Sequence, residues 1–455
     1  MSERPNILLM IADDHRADAL GAAAEPVVLT PTLDELAANG ANIRQAHIMG
    51  GFVDAVCVPS RATLLTGTNP FRASSSTRVG DSQGAQTLNP ELAVLPAILR
   101  KAGYHTHAIG KWHNDKASFT TSFDNGTNLF FGGMIDHWQM PIYDFDPEGV
   151  YPPEARHAGD RFSSELHADA AISFLREYRG RDPFFLYLAF AAPHDPRTAP
   201  KAYADLYIPD AIPLPPNFLP RHPFDNGNMR VRDELLAPWP RTTEVVRQHI
   251  ADYYAMITHL DAQIGRVLAA LAASEQADNT VVIYTADHGL AVGQHGLMGK
   301  QNLYAHSVRV PLLMRGPGVP TGKRLHALAS LADLFPTLCD LTGTPTPASV
   351  EGRSLVPVMT GKLAGVHERV HAVHRDVQRM VHDGRWKLIR YYRSKEYGVG
   401  TDHLQLFDLA EDPWETRDMA ADPAQASCLH RLAGDLAAWQ QQVGDPLGEG
   451  VRSCP

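Results

Sequence analysis

The stretch NILLMIADDH, residues 6–15, decides the reading of the fold. Its first seven residues are an unbroken apolar run of strand length, the pattern of a strand buried on both faces of a sheet. Two carboxylates follow at once. The same design recurs further on. YHTHAIG, residues 104–110, ends just before Lys111 and His113, and FFLYLAFAAP, residues 184–193, ends before His194. TVVIYTA, residues 280–286, is followed directly by Asp287 and His288.

Helical patterns lie between these runs. In TLDELAANG, residues 32–40, Thr32 and Glu35 have capping-box spacing and Gly40 is a stop signal. ELAVLPAILRKAG, residues 91–103, aligns Leu92, Leu95, Ile98 and Leu99. SSELHADAAISFLREYRG, residues 163–180, aligns Leu166, Ala170, Phe174 and Tyr178 on what is expected to be its apolar face. A long helix is expected over residues 245–273. Strands alternating with helices predict an α/β fold around a large, mainly parallel sheet. Residues 199–241 are proline-rich and read as a long loop of the kind that forms functional lids. Past residue 364 the texture changes. QRMVHDGRWKLIRYY, residues 378–392, reads as a hairpin turning at Asp383-Gly384, QLFDLAEDPWE as an edge strand, and residues 423–443 as a helix. The expected division is a main domain over residues 1–364 and a smaller α+β subdomain over 365–455.

With 455 residues, 44% of them hydrophobic, the chain has material for a large core. Its formal charge of −10 argues against a general nucleic-acid partner, so an anionic substrate needs a local cluster of cations. Neither a long apolar leader nor a run able to span a bilayer is visible. The four cysteines, Cys57, Cys339, Cys428 and Cys454, lack the spacing of a zinc knuckle or a disulfide framework. A cytoplasmic location without membrane attachment is the resulting expectation.

Ligands of open α/β sheets bind outside the carboxyl ends of the strands, so four separate segments converge on one edge. Asp13, Asp14, Asp287 and His288 offer mostly hard oxygen donors, which suit calcium, magnesium or manganese. Taken alone, Asp13 and Asp14 could equally cap the next helix. In AVCVPSRATLLTG, residues 55–67, the residues after Cys57 can begin a short helix. The thiol then lies near a helix amino terminus with Arg61 one turn along, an electropositive setting; a buried structural cysteine is the alternative.

CVPSRATLLTG resembles the signature of the type I, formylglycine-dependent sulfatases of the alkaline-phosphatase-like superfamily. NILLMIADDHRADALG, GYHTHAIGKWH, PHDPRTAP, DNTVVIYTADHGLAVGQHGLMGK and VRVPLLMRGPG are similar to blocks of that family, in its order. The resemblance implies an alkaline-phosphatase-like sandwich and an enzyme that cleaves a small-molecule or carbohydrate sulfate ester to an alcohol and inorganic sulfate. It implies that a separate maturing enzyme converts Cys57 to formylglycine, whose hydrate attacks sulfur with one hydroxyl and expels sulfate through the other. Asp13, Asp14, Asp287 and His288, with residue 57, match the ligands of one divalent metal, calcium, with magnesium or manganese as alternatives. Arg61 and Lys111 match residues that hold the diol and the sulfate. His113 matches the base for the second hydroxyl, and His194 and Lys300 match residues that contact sulfate and assist the departing oxygen.

One departure stands out: in NLYAHSVRVP the family often has acids where this chain has Ala305 and His306. A phosphonate monoester or phosphodiester hydrolase on the same scaffold is the nearest rival, and a silent anion- or carbohydrate-binding protein a more distant one. The loop Phe119–Tyr151, with Phe130, Phe131, Trp138 and Tyr143, could stack on a substrate or belong to the core. A homo-oligomer is compatible with the sequence.

Overall fold

The computed structural model describes residues 4–23 and 27–450. The first strands are β1 (Asn6–Ala12), β2 (Ala41–His47), β3 (Gly50–Gly51), β4 (His105–Lys111) and β5 (Asn125–Phe130). A small ribbon, β6 (Pro141–Ile142) and β7 (His157–Ala158), comes next. β8 (Phe184–Ala189), β9 (Thr280–Ala286), β10 (Arg309–Val310), β11 (Leu312–Arg315) and β12 (Lys323–Ser330) follow. The main sheet runs β10-β2-β11-β9-β1-β8-β4-β5, with β12 paired to β2. From β9 through β5 every pairing is parallel, while β11 is antiparallel to both its neighbours. β1, β8 and β9 are buried along their whole length, which is why they read as unbroken apolar runs.

Helices cover the sheet. The thirty-residue helix Thr243–Ala272, whose first turn is capped by Thr242, packs on the helices Pro31–Ala38 and Ser163–Glu177. The helix Cys57–Thr66 packs on Leu95–Lys101 and Leu334–Thr342. The fold class expected from the sequence is the one observed.

Two local expectations need correction. Pro31 occupies the first turn of its helix, and the N–H groups of Thr32 and Leu33 donate to Asp261 at 3.0 and 2.8 Å, so a tertiary partner replaces the Thr32–Glu35 capping box. The helix Ser163–Glu177 buries His167, Ala168, Ala171, Ile172 and Leu175, whereas Leu166, Ala170 and Phe174 are half-buried at its side. The small alanines allow close approach to the sheet; Phe174 instead lies against the rings of His105 and His107. The proline-rich segment, by contrast, is a long connection, as expected, and it packs against the site. Its turn Arg232–Leu236 buries Asp233 and Glu234, and the Glu234 carboxylate accepts from the N–H groups of Met298 and Gly299.

The second sheet runs β16-β15-β14-β13-β3, from β13 (Val370–His374), β14 (Gln378–His382), β15 (Trp386–Tyr391) and β16 (His403–Asp408). The helix Ala426–Val443 packs on β14 and β15, with Val381, Leu388, Leu406, Leu432 and Leu436 between them. Its fifth strand comes from far upstream: Gly50 and Gly51 pair with Val373 and His374. A Cβ at Gly50 would stand 2.0 Å from the Val373 carbonyl oxygen, so only glycine fits there. Among the described residues no helix is long and apolar enough to cross a membrane. Cys57, Cys339 and Cys428 are free thiols; Cys454 lies outside the described residues.

Candidate active site

Register brings the reactive groups level. Ala12 stands opposite Ala286, Ile11 opposite Ala189, and Ala189 opposite Gly110, so residues just past these positions emerge on one edge. Two further rungs continue the ladder, Asp13 N–H donating to Ala192 and Asp287 N–H to Ala12, both at 3.1 Å. The chain then turns through left-handed conformations at Asp14 (φ 68°) and His113 (φ 59°), strained positions for side-chain-bearing residues. Tyr253 holds the first turn: its hydroxyl donates to the Asp14 carbonyl and accepts from Arg16 N–H at 3.0 Å.

Cys57 opens the helix Cys57–Thr66 and is 2% exposed. Its Sγ lies 3.0 Å from His113 Nδ1 and 4.0 Å from Lys111 Nζ. Burial alone would raise the thiol, but Lys111 chiefly, with His288 and Lys300, brings it down to about 7. The rest of the motif binds the strand ends. Ser60 Oγ donates to the Asp287 carbonyl, and Arg61 Nε donates to Asp287 Oδ2 at 2.8 Å. Arg61 Nη1 donates to the Lys111 carbonyl at 2.8 Å and to Tyr187 Oη at 3.2 Å, while Nη2 is buried with no protein partner.

Each carboxylate faces a cation: Asp13 pairs with Lys111, Asp14 with Lys300 at 2.8 Å, and Asp287 with Arg61. Burial would raise Asp13, but Lys111 holds it well below the usual carboxylate range. Burial and the charge of Asp13 push Asp287 up. Burial disfavours a charged His288, yet Asp287 and Asp14 bring it up to about 9. Against its burial, Lys300 is held well above the usual lysine range by Asp14 and Asp233. His113 goes the other way: burial and Lys111 hold its ring well below the usual histidine range.

The residues fit a hard divalent cation. Ligand atoms of Asp13, Cys57, Asp287 and His288 lie within 4.8 Å of one another, as do those of Asp13, Asp14 and His194. Asp13 Oδ1, Asp14 Oδ2 and His288 Nε2 are buried without a protein hydrogen bond, an arrangement that is costly unless something satisfies them. His288 Nδ1 lies 3.1 Å from the Gly289 carbonyl and donates to it, so Nε2 is the nitrogen a cation would take, displacing the proton that the neighbouring acids otherwise keep on the ring.

The candidate metal ligands Asp13, Asp14, Cys57, Asp287 and His288 and the candidates Arg61, Lys111, His113, His194 and Lys300 are therefore in one place. His194 Nδ1 donates to the Asp195 carbonyl at 2.7 Å, and the His194 carbonyl accepts from His137 at 2.8 Å. Several neighbours carried no sequence signal. Lys111 Nζ donates to the Gly133 carbonyl at 2.9 Å, and a Cβ on Gly133 would stand 2.9 Å from the His113 ring. Gln301 accepts from Lys300 N–H at 3.1 Å and donates at 2.9 Å both to the Asp54 carbonyl and to Asp233. Asp233 itself, 4.0 Å from Lys300 Nζ, comes from the proline-rich segment.

The aromatic loop divides. Phe130 is buried, and Phe131 and Tyr143 pack against Tyr151; Trp138 is 46% exposed and donates to the Thr198 carbonyl at 3.2 Å. At Ala305 the carboxylate comes from elsewhere in the chain. Glu415 accepts from Ala305 N–H at 2.7 Å and pairs with Lys387 at 2.6 Å, and His306 is buried beside them.

Known proteins show the same plan. A family model described as Sulfatase matches residues 5–344, and one described as N-sulphoglucosamine sulphohydrolase, C-terminal, matches residues 293–442. An ulvan-active sulfatase of Formosa agariphila is 31% identical over 97% of this chain and 82% of its own. A structure solved in complex with its substrate D-glucosamine-2-N,6-O-disulfate superposes with a TM-score of 0.79 at 22% identity, covering 99% of this chain and 100% of that one. Phosphonate monoester hydrolase from Silicibacter pomeroyi gives a TM-score of 0.74 at 25% identity over 96% of each chain.

Proposed function

The chain belongs to the sulfatase family, and on that footing we propose that it hydrolyses an organic sulfate monoester, small or carbohydrate, to an alcohol and inorganic sulfate. The observation that carries the reading is the convergence of Cys57 and His113 with Arg61, Lys111 and Lys300 in one buried site. Cys57 is the precursor of formylglycine, made by a separate maturing enzyme, and the hydrated aldehyde supplies a nucleophilic hydroxyl and a second hydroxyl for expelling sulfate. One divalent cation, calcium or else magnesium or manganese, held by Asp13, Asp14, Asp287, His288 and residue 57, supplies Lewis acidity and neutralises the acid cluster.

The side chains do the rest. Arg61 Nη2, free of protein partners, and the ammonium groups of Lys111 and Lys300 bind the anionic oxygens and fix the ester over residue 57. His113 Nδ1, 3.0 Å from the residue-57 side chain on a ring whose basicity is lowered by burial and Lys111, accepts the proton released when the second hydroxyl acts. His194, fixed at Nδ1, gives a proton from Nε2 to the departing alcohol oxygen, with Lys300 beside it. The proposed division assigns this chemistry to the main domain, which ends near residue 364, and leaves the described residues 365–450 to the smaller subdomain.

Phosphonate or phosphodiester hydrolysis is the second reading, favoured by the likeness to a phosphonate monoester hydrolase. A panel of aryl, alkyl, carbohydrate and choline sulfates beside phosphonate and phosphodiester substrates, assayed with matured protein, separates the two. The highest kcat/KM on a sulfate ester is expected. Faster turnover of a phosphonate or phosphodiester would replace the first reading with the second, and no turnover by fully converted, metal-loaded protein would leave a binding protein.

A further inference from the structure

A cavity of about 440 Å³ lies away from the reacting residues, lined by the chain just after the helix Cys57–Thr66, by residues 351–353, by β13 and by the helix Ala426–Val443. Its acids are already satisfied. The fully buried Asp333 carboxylate accepts from the N–H groups of Ser330 and Arg353 and from His367 Nε2, each at 2.8 Å. Glu351 accepts from Asn69 Nδ2 at 2.7 Å and pairs with Arg72.

Its donors are not used up. Arg353 spends only Nη1 of its guanidinium, on the Val366 carbonyl at 2.6 Å. Arg369 spends Nε on Asp435 and Nη1 on Glu368, and Arg72 only Nη1 on Glu351. His371 Nε2 is a buried atom without a partner, and its ring lies flat on Trp439 with centroids 4.5 Å apart. Both acids already have partners, and the three guanidinium groups, which are reached by solvent, keep N–H groups to spare, so the unused groups of this wall include donors for an anion.

We infer that this cavity is a second anion site, separate from the reacting centre, which takes a free tetrahedral dianion, sulfate or phosphate. Its walls tie it to residue 57 from both sides. Ile48 and Met49 run into β3 and on toward Cys57, Thr68 and Asn69 follow the helix that Cys57 begins, and His371 belongs to the strand that pairs with β3. An anion bound there cross-links the second sheet to both ends of the segment that carries the reactive residue.

Equilibrium dialysis of the full-length protein against labelled inorganic sulfate, at constant ionic strength, tests the site. Arg353→Met removes a guanidinium, and His371→Phe keeps a ring on Trp439 while removing Nε2; native melting profiles confirm that the variants fold. The expected result is one fewer sulfate bound per chain in each folded variant than in the unsubstituted protein, with turnover at low sulfate retained. Displacement of that extra sulfate by inorganic phosphate marks a general dianion site, and resistance to it a site selective for sulfate. Equal stoichiometry in variants and unsubstituted protein, or no sulfate bound by any of them, overturns the inference.

Discussion

Arg61 Nε lies 2.8 Å from Asp287 Oδ2, and each of these side chains is 1% exposed. A charge pair this deep is strongly interdependent: removing one partner strands the other in a medium that cannot solvate it. Arg61→Met is therefore expected to cost about 3–5 kcal/mol in denaturant unfolding. Asp287→Ala should in addition abolish binding of the proposed divalent cation and turnover together, measured by metal analysis and assay of the same sample. Full activity in metal-free Asp287→Ala protein would refute the metal assignment.

Activity should follow the fraction of residue 57 converted to formylglycine and not the amount of folded protein, with peptide mass spectrometry supplying that fraction. Cys57→Ala should fold and be inactive. Cys57→Ser has one hydroxyl and nothing to expel a bound sulfuryl group, so a stalled ester or near-zero turnover is expected. Sustained multiple turnover by Cys57→Ser would mean that no second hydroxyl is needed.

Gln301 receives a hydrogen bond from Lys300 N–H and gives hydrogen bonds to the Asp233 carboxylate and the Asp54 carbonyl, so it positions the lysine without touching the reacting atoms. Gln301→Ala is expected to lower kcat about 10–100-fold, the usual scale for losing a supporting partner of a site residue. A merely structural role would appear as lost stability with kcat per folded molecule unchanged, which parallel melting curves distinguish.

The Asp261 carboxyl that caps the helix Pro31–Ala38 is pushed up to about 6 by its burial. The folded state therefore holds this proton more tightly than the unfolded chain does. The stabilisation is complete below about pH 4 and is lost as pH rises through 6, a swing of about 3 kcal/mol. Asp261→Asn should flatten that part of the stability profile, measured by urea unfolding at steps between pH 4 and 7. An unchanged slope would show that other groups carry it.

The parallel core was legible because β1, β8 and β9 are buried on both faces and have no choice but to be apolar. The reactive residues were legible because each follows such a strand directly. β2, with the sequence ANIRQAH, carries no legible pattern: Asn42 and His47 are buried, while Arg44 and Gln45 are half-exposed, so it is neither unbroken nor alternating. The buried face of the helix Ser163–Glu177 differs from the one its large apolar residues suggest, because Phe174 and Tyr178 lie beside the contact and not in it. Gly133, Asp233 and Gln301 reach the site through tertiary packing alone, and nothing local in the chain marks them.

The pairing of β3 with β13 also sets an order of events during synthesis. Gly50 finds its partner Val373 roughly 320 residues later in the chain. At about 5–20 residues per second, that partner leaves the ribosome roughly 15–65 s after Gly50 does. Asp287 and Lys300, which help enclose the site, also come late. The thiol, 2% exposed once the chain has folded, thus spends most of translation in an unfinished structure, where another protein can still reach it.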